Sequence, residues 1–444
     1  MVPALIDKPY ANADFIDLYL DVCGETSVPK AFHEWCAVSL LAALMQNRVK
    51  VVLSEILGGM TLEHFIVLIG ESGSGKGNAV KMAMRLLKDA FVKEETPLGE
   101  YVFHNDVCQR QYEGMNVYAG TLTRASIQDL LDTQKNPETG VVGHAKLYWI
   151  AEELSLCFGS RVIAEDSIRL LVGFKGEQPV PQQARVRHGR VSLVIKDPCI
   201  NLLGASTWKW LGNVVTGKEA AAGMLRRTRF IEVDYNIKNQ SLREKPAVDW
   251  QRKRETLLER VRVYAMTSFN NGLVTWSKDG GHAFHRWFES GLLDQNIPDE
   301  PSQRTLHGCR ASEVAKLAAI SAISRYDHRV AETWPEITVV DVERAKRWWG
   351  MAMETAPRMT VETSDDVRVQ HAELVARVAA LMCNHTKGKR VHERMLAKVL
   401  GQQGMVKRSI LEAIETVEHR GWCQREFEVV DGKVETWLKW LGKE

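Results

Sequence analysis

Short, unbroken apolar runs alternate along the chain with longer stretches in which apolar residues recur every three or four positions. The first pattern is typical of strands buried in a parallel sheet, and the second of helices that pack against it. We therefore predict an α/β fold in which helices flank a parallel sheet. The segment between the helix that follows residues 70–77 and residue 115 is predicted to be rich in loops. The predicted buried strands cover residues 65–69, 147–153, 198–207 and 230–233, and residues 115–119 are a further candidate strand.

The regions on either side of these strands are predicted to be mainly helical. Helices at 14–23 and 30–46 precede a short strand at 49–53, and the second helix is expected to pack on the sheet. Further along, the last of several helices begins at a capping pair, Thr338 and Asp341. The predicted parts are an N-terminal helical segment (1–58), an α/β core (59–240), a helical lid (241–360) and a separate module (367–444).

The last part of the chain has its own set of patterns. Three helical patterns, the second covering 391–400, precede two strand-like runs joined by a turn at Asp431 and Gly432. This order resembles a winged helix, a module that binds DNA or other proteins. Its first half is basic, which favours the phosphate backbone of duplex DNA. The basic residues are Lys387, Lys389, Arg390, Arg394, Lys398, Lys407 and Arg408, among which Lys389, Arg390, Lys407 and Arg408 are the predicted DNA contacts.

Composition narrows the class of protein. The 444 residues are 45% hydrophobic and 26% charged, as in an ordinary soluble globular protein of several units. A net charge of +2 is too small to indicate a polyanionic partner, so any contact with nucleic acid must come from local clusters. The eight cysteines include no CxxC pair, which argues against a zinc site or a disulfide framework. With neither a signal sequence nor an apolar run long enough to span a bilayer, we expect a cytoplasmic protein without membrane insertion.

The most specific motif follows the first buried strand. Residues 70–77 read Gly-Glu-Ser-Gly-Ser-Gly-Lys-Gly and match the P-loop pattern GxxxxGK. Glycines let such a loop turn its N–H groups inward on a phosphate, at the positive end of the next helix. Lys76 adds a charge that can reach the β- and γ-phosphates. The predicted nucleotide contacts are Gly70, Glu71, Ser72, Gly73, Ser74, Gly75, Lys76, Gly77 and Asn78.

The P-loop departs from the pattern at its last position. Gly77 stands where Ser or Thr normally offers a hydroxyl to Mg²⁺. Asn78 or a water molecule can fill this place, or the metal binds more weakly than usual. Nucleotide binding is therefore better supported than rapid hydrolysis. A glycine-rich turn without any ligand is the alternative interpretation.

An acidic pair ends the predicted strand at 147–153. Glu152 and Glu153 follow this apolar run in the form of a Walker B element, although Glu152 stands where aspartate is usual. In such ATPases the first carboxylate helps to hold Mg²⁺, and the second polarises the attacking water. We assign these roles to Glu152 and Glu153, with an acidic surface pair as the alternative.

The next two predicted strands also carry candidate polar groups. One ends in Ser206 and Thr207, whose hydroxyls could sense a γ-phosphate by hydrogen bonding. The other is preceded by Arg226, Arg227 and Arg229. A guanidinium group suits bidentate contact with phosphate, and an arginine supplied by a neighbouring subunit can stabilise charge on the transferring phosphate. We expect Arg226 or Arg229 to have this role.

A hairpin is predicted between the acidic pair and the strand that ends in Thr207. Residues 184–195 alternate between apolar and polar positions on either side of Gly189, which is a hairpin pattern. Its tip holds Arg187, His188 and Arg190. A solvated hairpin whose charges protect its edges from pairing is the alternative to a functional tip.

Taken together, these motifs resemble AAA+ ATPases. GESGSGKG with Lys76, LYWIAEE with Glu152 and Glu153, the polar end of CINLLGAST and the arginines of MLRRTRF follow one another in the order seen in that family. The resemblance covers roughly residues 60–350. The hairpin insertion is similar to that of superfamily 3 and minichromosome-maintenance-type helicases, and to the helicase modules of phage and mobile-element primase-helicases.

The resemblance implies further properties. Its cofactors would be ATP and Mg²⁺, and its assembly a homo-oligomeric ring, most often a hexamer. The hairpin would project into the central pore and grip a single DNA strand through its charged tip. A helical lid would cover the nucleotide, with Arg310 in the place of the sensor-2 arginine and Arg304 competing for that role. A structural salt bridge is the alternative for either arginine.

Two functions are consistent with these expectations. The first is an ATP-dependent, ring-forming DNA helicase or translocase that acts in the replication of a phage or mobile element. The second is an ATP-switched DNA-binding initiator or helicase loader that changes shape without sustained unwinding. Gly77 and Glu152 favour the switch slightly, whereas the predicted pore hairpin favours the motor.

Overall fold

The chain forms two compact units, residues 1–360 and 361–444. The computed structural model describes residues 13–24, 26–54, 58–92, 101–104, 107–112, 115–118, 127, 131, 146–155, 198–214, 226–233, 248–266, 272–293, 308–326, 334–364, 375, 378–379, 382, 390–402, 410–411, 413–414, 417–418, 423–430 and 433–441. Across these residues, no helix combines the length and the apolar character needed to cross a membrane.

The secondary structure of these ranges follows the chain in this order. The strands are β1 (Val49–Ser54), β2 (Gly58–Thr61), β3 (Phe65–Ile69), β4 (Tyr101–His104), β5 (Val107–Tyr112), β6 (Met115–Tyr118), β7 (Lys146–Ala151), β8 (Cys199–Ser206), β9 (Thr228–Glu232), β10 (Gly272–Trp276), β11 (Glu336–Ile337), β12 (Arg390–His392), β13 (Cys423–Val430) and β14 (Lys433–Trp440). The helices are α1 (Phe15–Cys23), α2 (Lys30–Met45), α3 (Lys76–Val92), α4 (Trp208–Val214), α5 (Trp250–Met266), α6 (Lys278–Leu293), α7 (Arg310–Ser324), α8 (Val339–Ser364) and α9 (Glu393–Gln402).

Within the described ranges, the largest sheet of the first unit has the spatial order β4-β5-β6-β7-β8-β3-β9. From β6 through β7, β8 and β3 to β9, each pair of adjacent strands is parallel. Every residue of β3 and β8 is buried, as expected for strands covered on both faces. The predicted α/β fold with a parallel sheet is confirmed. The prediction of a loop-rich segment before residue 115 is wrong, because β4 and β5 extend the sheet there in antiparallel pairing.

The connections that leave β3 and its neighbour β8 run in opposite directions across this sheet. After β3 the chain continues to β6 on one side, then returns through β7 and β8 and passes β3 to reach β9. Because parallel crossovers are right-handed, connections that move in opposite directions lie on opposite faces of the sheet. The loops after β3 and β8 therefore separate. A crevice is expected between them at the carboxyl ends of these strands, which is where open α/β sheets bind their ligands.

Helix α2 lies at the centre of the helical layer. It contacts α1, α3 and α5 and also strands β3 and β8, so its predicted packing on the sheet is confirmed. Residues from Phe32 to Met45 are all buried, since the helix has neighbours on every side. Helix α1 begins at Asp14, whose Oδ1 accepts the N–H of Ile16 at 2.8 Å, as an N-cap residue does.

A second, smaller sheet joins the N-terminal segment to the predicted lid. Strand β1 is parallel to β10 and antiparallel to β2, and β11 lies beside β10. The segment predicted as a helical lid therefore contains two short strands, β10 and β11, besides its helices. Strand β10 is short, and its place depends on partners distant in the sequence. Trp334, just before β11, packs against the start of β10 and explains Gly272 there, because a Cβ atom on Gly272 would lie only 2.2 Å from the Trp334 ring.

Helix α8 begins at the predicted capping pair. The N–H and Oγ1 of Thr338 donate to Oδ2 of Asp341 at 2.9 and 2.8 Å, which confirms that prediction. Asp341 is fully buried, and its Oδ1 also accepts from Ser321 Oγ at 2.8 Å. The cap therefore also ties α8 to α7.

The second unit contains a sheet in the order β12-β14-β13 among its described residues. The predicted hairpin is present, with Val430 opposite Lys433 across a two-residue loop. Helix α9 begins at Glu393 rather than at the predicted position 391, because Arg390–His392 pair with β14. The core of this unit is formed by apolar residues that include Val375, Val391, Leu396, Leu400, Ile410, Ile414, Val417 and Leu438.

Candidate nucleotide-binding site

The loop between β3 and α3 has the backbone conformation of a phosphate cradle. Gly73 and Gly75 have φ angles of +86° and +83°, in the left-handed region that only glycine adopts without strain. The N–H of Gly70 donates to the backbone oxygen of Ser206 at 3.3 Å, which anchors the loop to the end of β8. The loop leads directly into α3, and the N-terminus of a helix favours a bound anion. The side chains of Glu71, Ser72 and Asn78 are exposed on the loop.

Lys76 is the first residue of α3, and its side chain folds back over the loop. Its Nζ donates to the backbone oxygen of Glu71 at 3.0 Å. Burial lowers the pKa of Lys76 below its ordinary value, while the charges of Glu153 and Glu71 act in the opposite direction. A phosphate oxygen can replace the Glu71 carbonyl, because a bond between two charged groups is stronger than one to a neutral acceptor.

The acidic pair lies at the same edge of the sheet as the P-loop. A Cβ atom placed on Gly77 would lie 3.4 Å from the backbone oxygen of Glu152. Glu153 is exposed, and its charge raises the pKa of Lys76 against the effect of burial. The fold therefore brings Lys76, Glu152 and Glu153 together, as the sequence order predicts.

Glu152 has an ionic partner that the sequence patterns do not indicate. Nζ of Lys81, on the second turn of α3, lies 3.2 Å from Oε2 of Glu152. Both side chains are partly exposed, at 44% and 39%. The carboxylate predicted to hold Mg²⁺ is therefore already paired with an ammonium group.

The end of β8 lies beside the P-loop strand. Ser206 is opposite Ile69 in the sheet and is buried. Oγ1 of Thr207 accepts the N–H of Trp210 at 3.3 Å, so Thr207 caps α4. Its hydroxyl proton remains a possible donor to a phosphate oxygen, which is the role predicted for this residue.

Glu232 is a further polar residue at this edge. It ends β9 opposite Ile69 of the P-loop strand. Its Oε1 accepts the indole N–H of Trp208 at 2.7 Å, and its backbone N–H donates to Oγ1 of Thr355 at 3.1 Å. Helices α4 and α8 are thereby held beside the crevice. Glu232 directly follows an apolar run, as Glu152 does, and this pattern in the sequence could have identified it as a candidate site residue.

The turn between α1 and α2 lies against the P-loop. A Cβ atom on Gly75 would lie 3.1 Å from Cγ2 of Val28, so a larger residue in the loop would press on this turn. Oγ1 of Thr26 lies 2.9 Å from Nε2 of His33. Burial lowers the pKa of His33 to about 4, so this histidine is neutral near pH 7. Nothing in the sequence pattern places this turn near a phosphate site.

The residues of the crevice fit the phosphates of a nucleotide better than they fit a metal ion. The left-handed glycines, the helix terminus and Lys76 are all suited to anionic oxygens. At the metal position, Gly77 offers no hydroxyl and Glu152 is paired with Lys81. The donor set therefore does not fit the Mg²⁺ site of the P-loop pattern.

Arg229 is a structural residue, and its predicted contact with phosphate is wrong. Its side chain is 2% exposed, and its Nη2 lies 3.0 Å from Oε2 of Glu313. Nη2 also donates to the backbone oxygen of Arg226 at 2.8 Å, and the guanidinium lies over the ring of Trp349 at 4.9 Å. Although burial opposes the charge, the interaction with Glu313 raises the pKa of Arg229 above its ordinary value. An arginine enclosed in this way cannot reach a neighbouring subunit.

Arg226 has the opposite environment. It is exposed, and it lies just before β9, at the amino edge of the sheet. Because β9 is parallel to β3, this edge is separated from the P-loop by the length of a strand, about 15 Å. Arg226 therefore cannot contact the phosphates held by its own chain. Arg227, beside it, is half-buried, and its pKa is lowered by burial and by the charge of Arg226.

Arg310 also lies at the amino edge, so the predicted sensor-2 role is wrong. It is the first residue of α7, and the first turn of that helix carries Glu313, the partner of Arg229. Arg310 is 7% exposed. Its Nη2 donates to the backbone oxygen of Phe288 at 3.0 Å, and its guanidinium lies 5.0 Å from the centre of that ring. These contacts attach α7 to α6.

In the second unit, Arg390 is paired within the sheet. Its Nη2 lies 3.0 Å from Oε2 of Glu428, and its guanidinium lies over the ring of Trp437 at 4.8 Å. Both side chains of this pair are partly exposed, at 39% and 46%, so the DNA contact by Arg390 stays a prediction in which phosphate competes with Glu428. Arg394 and Lys398 of α9 are exposed.

Several predicted site residues lie outside the described residues. They are the hairpin-tip residues Arg187, His188 and Arg190, the basic residues Lys389, Lys407 and Arg408, and the alternative lid arginine Arg304.

No protein-family model matches the chain, and no curated protein matches it. Functional inference therefore depends on the residues and their geometry.

Proposed function

We propose that the chain is an AAA+ ATPase that assembles into a ring and moves along DNA, as a helicase or translocase in the replication of a phage or mobile element. The observation that carries this proposal is the crevice at the carboxyl edge of the main sheet. A glycine loop with two left-handed residues, Lys76 and the acidic pair meet there. The same combination is what phosphoryl transfer requires, namely an anion cradle, a positive charge and a carboxylate near the attacking water.

Each group has a defined part in this proposal. The loop N–H groups and Lys76 bind the phosphates of ATP, and Lys76 exchanges its bond with the Glu71 carbonyl for one with a phosphate oxygen. Glu153 is exposed and can accept a proton from, or orient, the attacking water. Thr207 can donate its hydroxyl proton to the γ-phosphate.

The proposed ring is supported by the positions of Arg226 and the P-loop at opposite edges of the sheet. Arg226 is exposed at the edge opposite the P-loop, so it can contribute only to a site on another copy of the chain. An arginine supplied in this way stabilises the charge that develops on the transferring phosphate. Contact with DNA is assigned to the hairpin tip and to the second unit. In that unit, a three-stranded sheet and helix α9 with its exposed Arg394 and Lys398 are consistent with a winged helix bound to duplex DNA.

The first test separates binding from hydrolysis. Lys76→Ala is expected to weaken ATP binding, measured by calorimetry. Glu153→Gln is expected to bind ATP but to hydrolyse it about a hundredfold more slowly, which corresponds to ~3 kcal/mol of transition-state stabilisation. Glu255→Gln, at an exposed site on α5, is the matched control and should behave as the unaltered chain. Hydrolysis by Glu153→Gln at the unaltered rate would show that Glu153 is not the water-activating residue.

The second test asks whether the ATPase is a motor. Combined alanine substitution of Arg187, His188 and Arg190 is expected to leave basal ATP hydrolysis and ring formation intact. It should abolish hydrolysis stimulated by DNA and the unwinding of forked DNA, since phosphate contacts in a pore couple hydrolysis to movement. A strand-displacement assay beside an ATPase assay measures both. Full unwinding by the triple variant would contradict the pore-hairpin role.

An ATP-switched initiator or helicase loader is the second candidate. It is favoured by one observation, the pairing of Glu152 with Lys81 beside Gly77. A site that lacks the usual metal ligands suits tight binding and slow hydrolysis, which is what a switch needs. ATP-dependent DNA binding without unwinding, by the unaltered chain, would favour this candidate.

A further inference from the structure

Lys81 and Gly77 lie on the same face of α3, four residues apart, and both face the end of β7. Gly77 approaches the backbone oxygen of Glu152, since a Cβ atom there would lie 3.4 Å from it. Lys81 approaches the side chain, with its Nζ 3.2 Å from Oε2 of Glu152. The position that usually supplies a metal-binding hydroxyl thus carries no side chain. The next turn of the same helix supplies a positive charge instead.

Lys81 can readily exchange its contact with Glu152 for a contact with a bound phosphate. The two side chains are 44% and 39% exposed, and ion pairs of this exposure hold their partners weakly. An ammonium group has three donors, so Lys81 can keep Glu152 while it donates to a phosphate oxygen. A triphosphate carries more negative charge than a single carboxylate, so it attracts the ammonium more strongly.

We propose that Lys81 is the built-in cation of the phosphate site, so that the chain binds a nucleoside triphosphate without a divalent cation. This inference rests on the proposed nucleotide binding at the P-loop. It assigns to Lys81 the two tasks that a metal ion performs at such a site, which are to neutralise the phosphates and to connect them to the acidic strand end.

The test measures the affinity for a fluorescent ATP analogue in EDTA and in excess Mg²⁺. The unaltered chain is expected to bind with similar affinity in both. Lys81→Met should lose at least about tenfold in affinity in EDTA, a change of 1.4 kcal/mol, and should lose less in Mg²⁺. Lys88→Met, at an exposed lysine on the same helix, is the matched control and should bind as the unaltered chain does in both solutions.

A second variant restores the usual metal ligand. Gly77→Ser fits without strain, because its Cβ atom would be in ordinary contact with Glu152 and Gly77 does not have a left-handed φ angle. In combination with Lys81→Met it should convert the site to one that requires Mg²⁺, with binding of Mn²⁺ detected by electron paramagnetic resonance. Circular dichroism of each variant checks that it is folded.

The outcomes separate this inference from the function on which it rests. Binding by the unaltered chain that requires Mg²⁺, or equal affinity of Lys81→Met and the unaltered chain in EDTA, would overturn the role of Lys81 and leave the P-loop assignment standing. If the unaltered chain bound no nucleotide in either solution, the proposed function would fall, and the role of Lys81 with it.

Discussion

The two edges of the main sheet both carry charged residues, but in opposite environments. At the carboxyl edge, Lys76, Glu152 and Glu153 are half-buried or exposed around an open glycine loop. At the amino edge, Arg229 and Glu313 are buried and bound to each other. Charges that remain accessible beside an anion cradle are available for a ligand. Charges that are enclosed with a partner hold the fold together.

The amino edge shows how closely the two kinds of residue can lie in the sequence. Arg226 and Arg229 are three positions apart, yet one is exposed and the other is 2% exposed. The buried arginine donates to the backbone oxygen of the exposed one at 2.8 Å. The same carboxylate oxygen of Glu313 lies 3.5 Å from Nδ1 of His64, which directly precedes β3. The segment that carries Arg226 is therefore fixed to the base of the P-loop strand.

The largest expected effect is that of Arg226 on hydrolysis. Because an arginine supplied between subunits is worth roughly a thousandfold or more in rate, Arg226→Ala should abolish most ATP hydrolysis by the assembled ring. Doping the unaltered chain with this variant should inhibit more than in proportion to the variant added. Arg252→Ala, at an exposed arginine on α5, is the control. A strictly proportional loss at all mixing ratios would argue against a role between subunits.

The second-largest expected effect is that of Arg229→Ala on the free energy of unfolding. Arg229→Ala leaves Glu313 buried without its main partner, which costs about 3–5 kcal/mol in the free energy of unfolding. Arg226→Ala should change that free energy by less than about 0.5 kcal/mol, as is usual for exposed sites. Urea denaturation followed by tryptophan fluorescence measures both. Equal destabilisation by the two variants would remove the distinction between the two arginines.

The smallest expected effect is on DNA binding by the second unit, where a paired arginine and an exposed arginine can again be compared. Arg390 is paired with Glu428, whereas Arg394 is exposed. Arg394→Ala should weaken the binding of duplex DNA and reduce the slope of log affinity against log salt by about one, as loss of a single phosphate contact does. Arg390→Ala should reduce the slope by less than Arg394→Ala does, because Glu428 competes with phosphate for Arg390. A larger loss of slope for Arg390 than for Arg394 would reverse these roles.

Local patterns in the sequence were sufficient to predict much of the P-loop region. The apolar run 65–69 forms β3, and the glycines at 73 and 75 have the left-handed angles that their residue type allows. The capping pair of Thr338 and Asp341 was predictable for the same reason, since its partners are three residues apart. In each case the groups that interact are close in the sequence.

The sequence by itself determined three features of this protein. They are the buried strands, the glycine loop with Lys76, and the acidic residues at the end of β7. Only the tertiary structure decided which charges are enclosed. Arg229 and Glu313 are 84 positions apart, Lys81 and Glu152 meet across the sheet edge, and β1 pairs with β10 over more than half of the chain. No periodicity or spacing encodes such contacts. They arise when strands and helices pack, and packing determines whether a charged side chain meets a partner, a ligand or water.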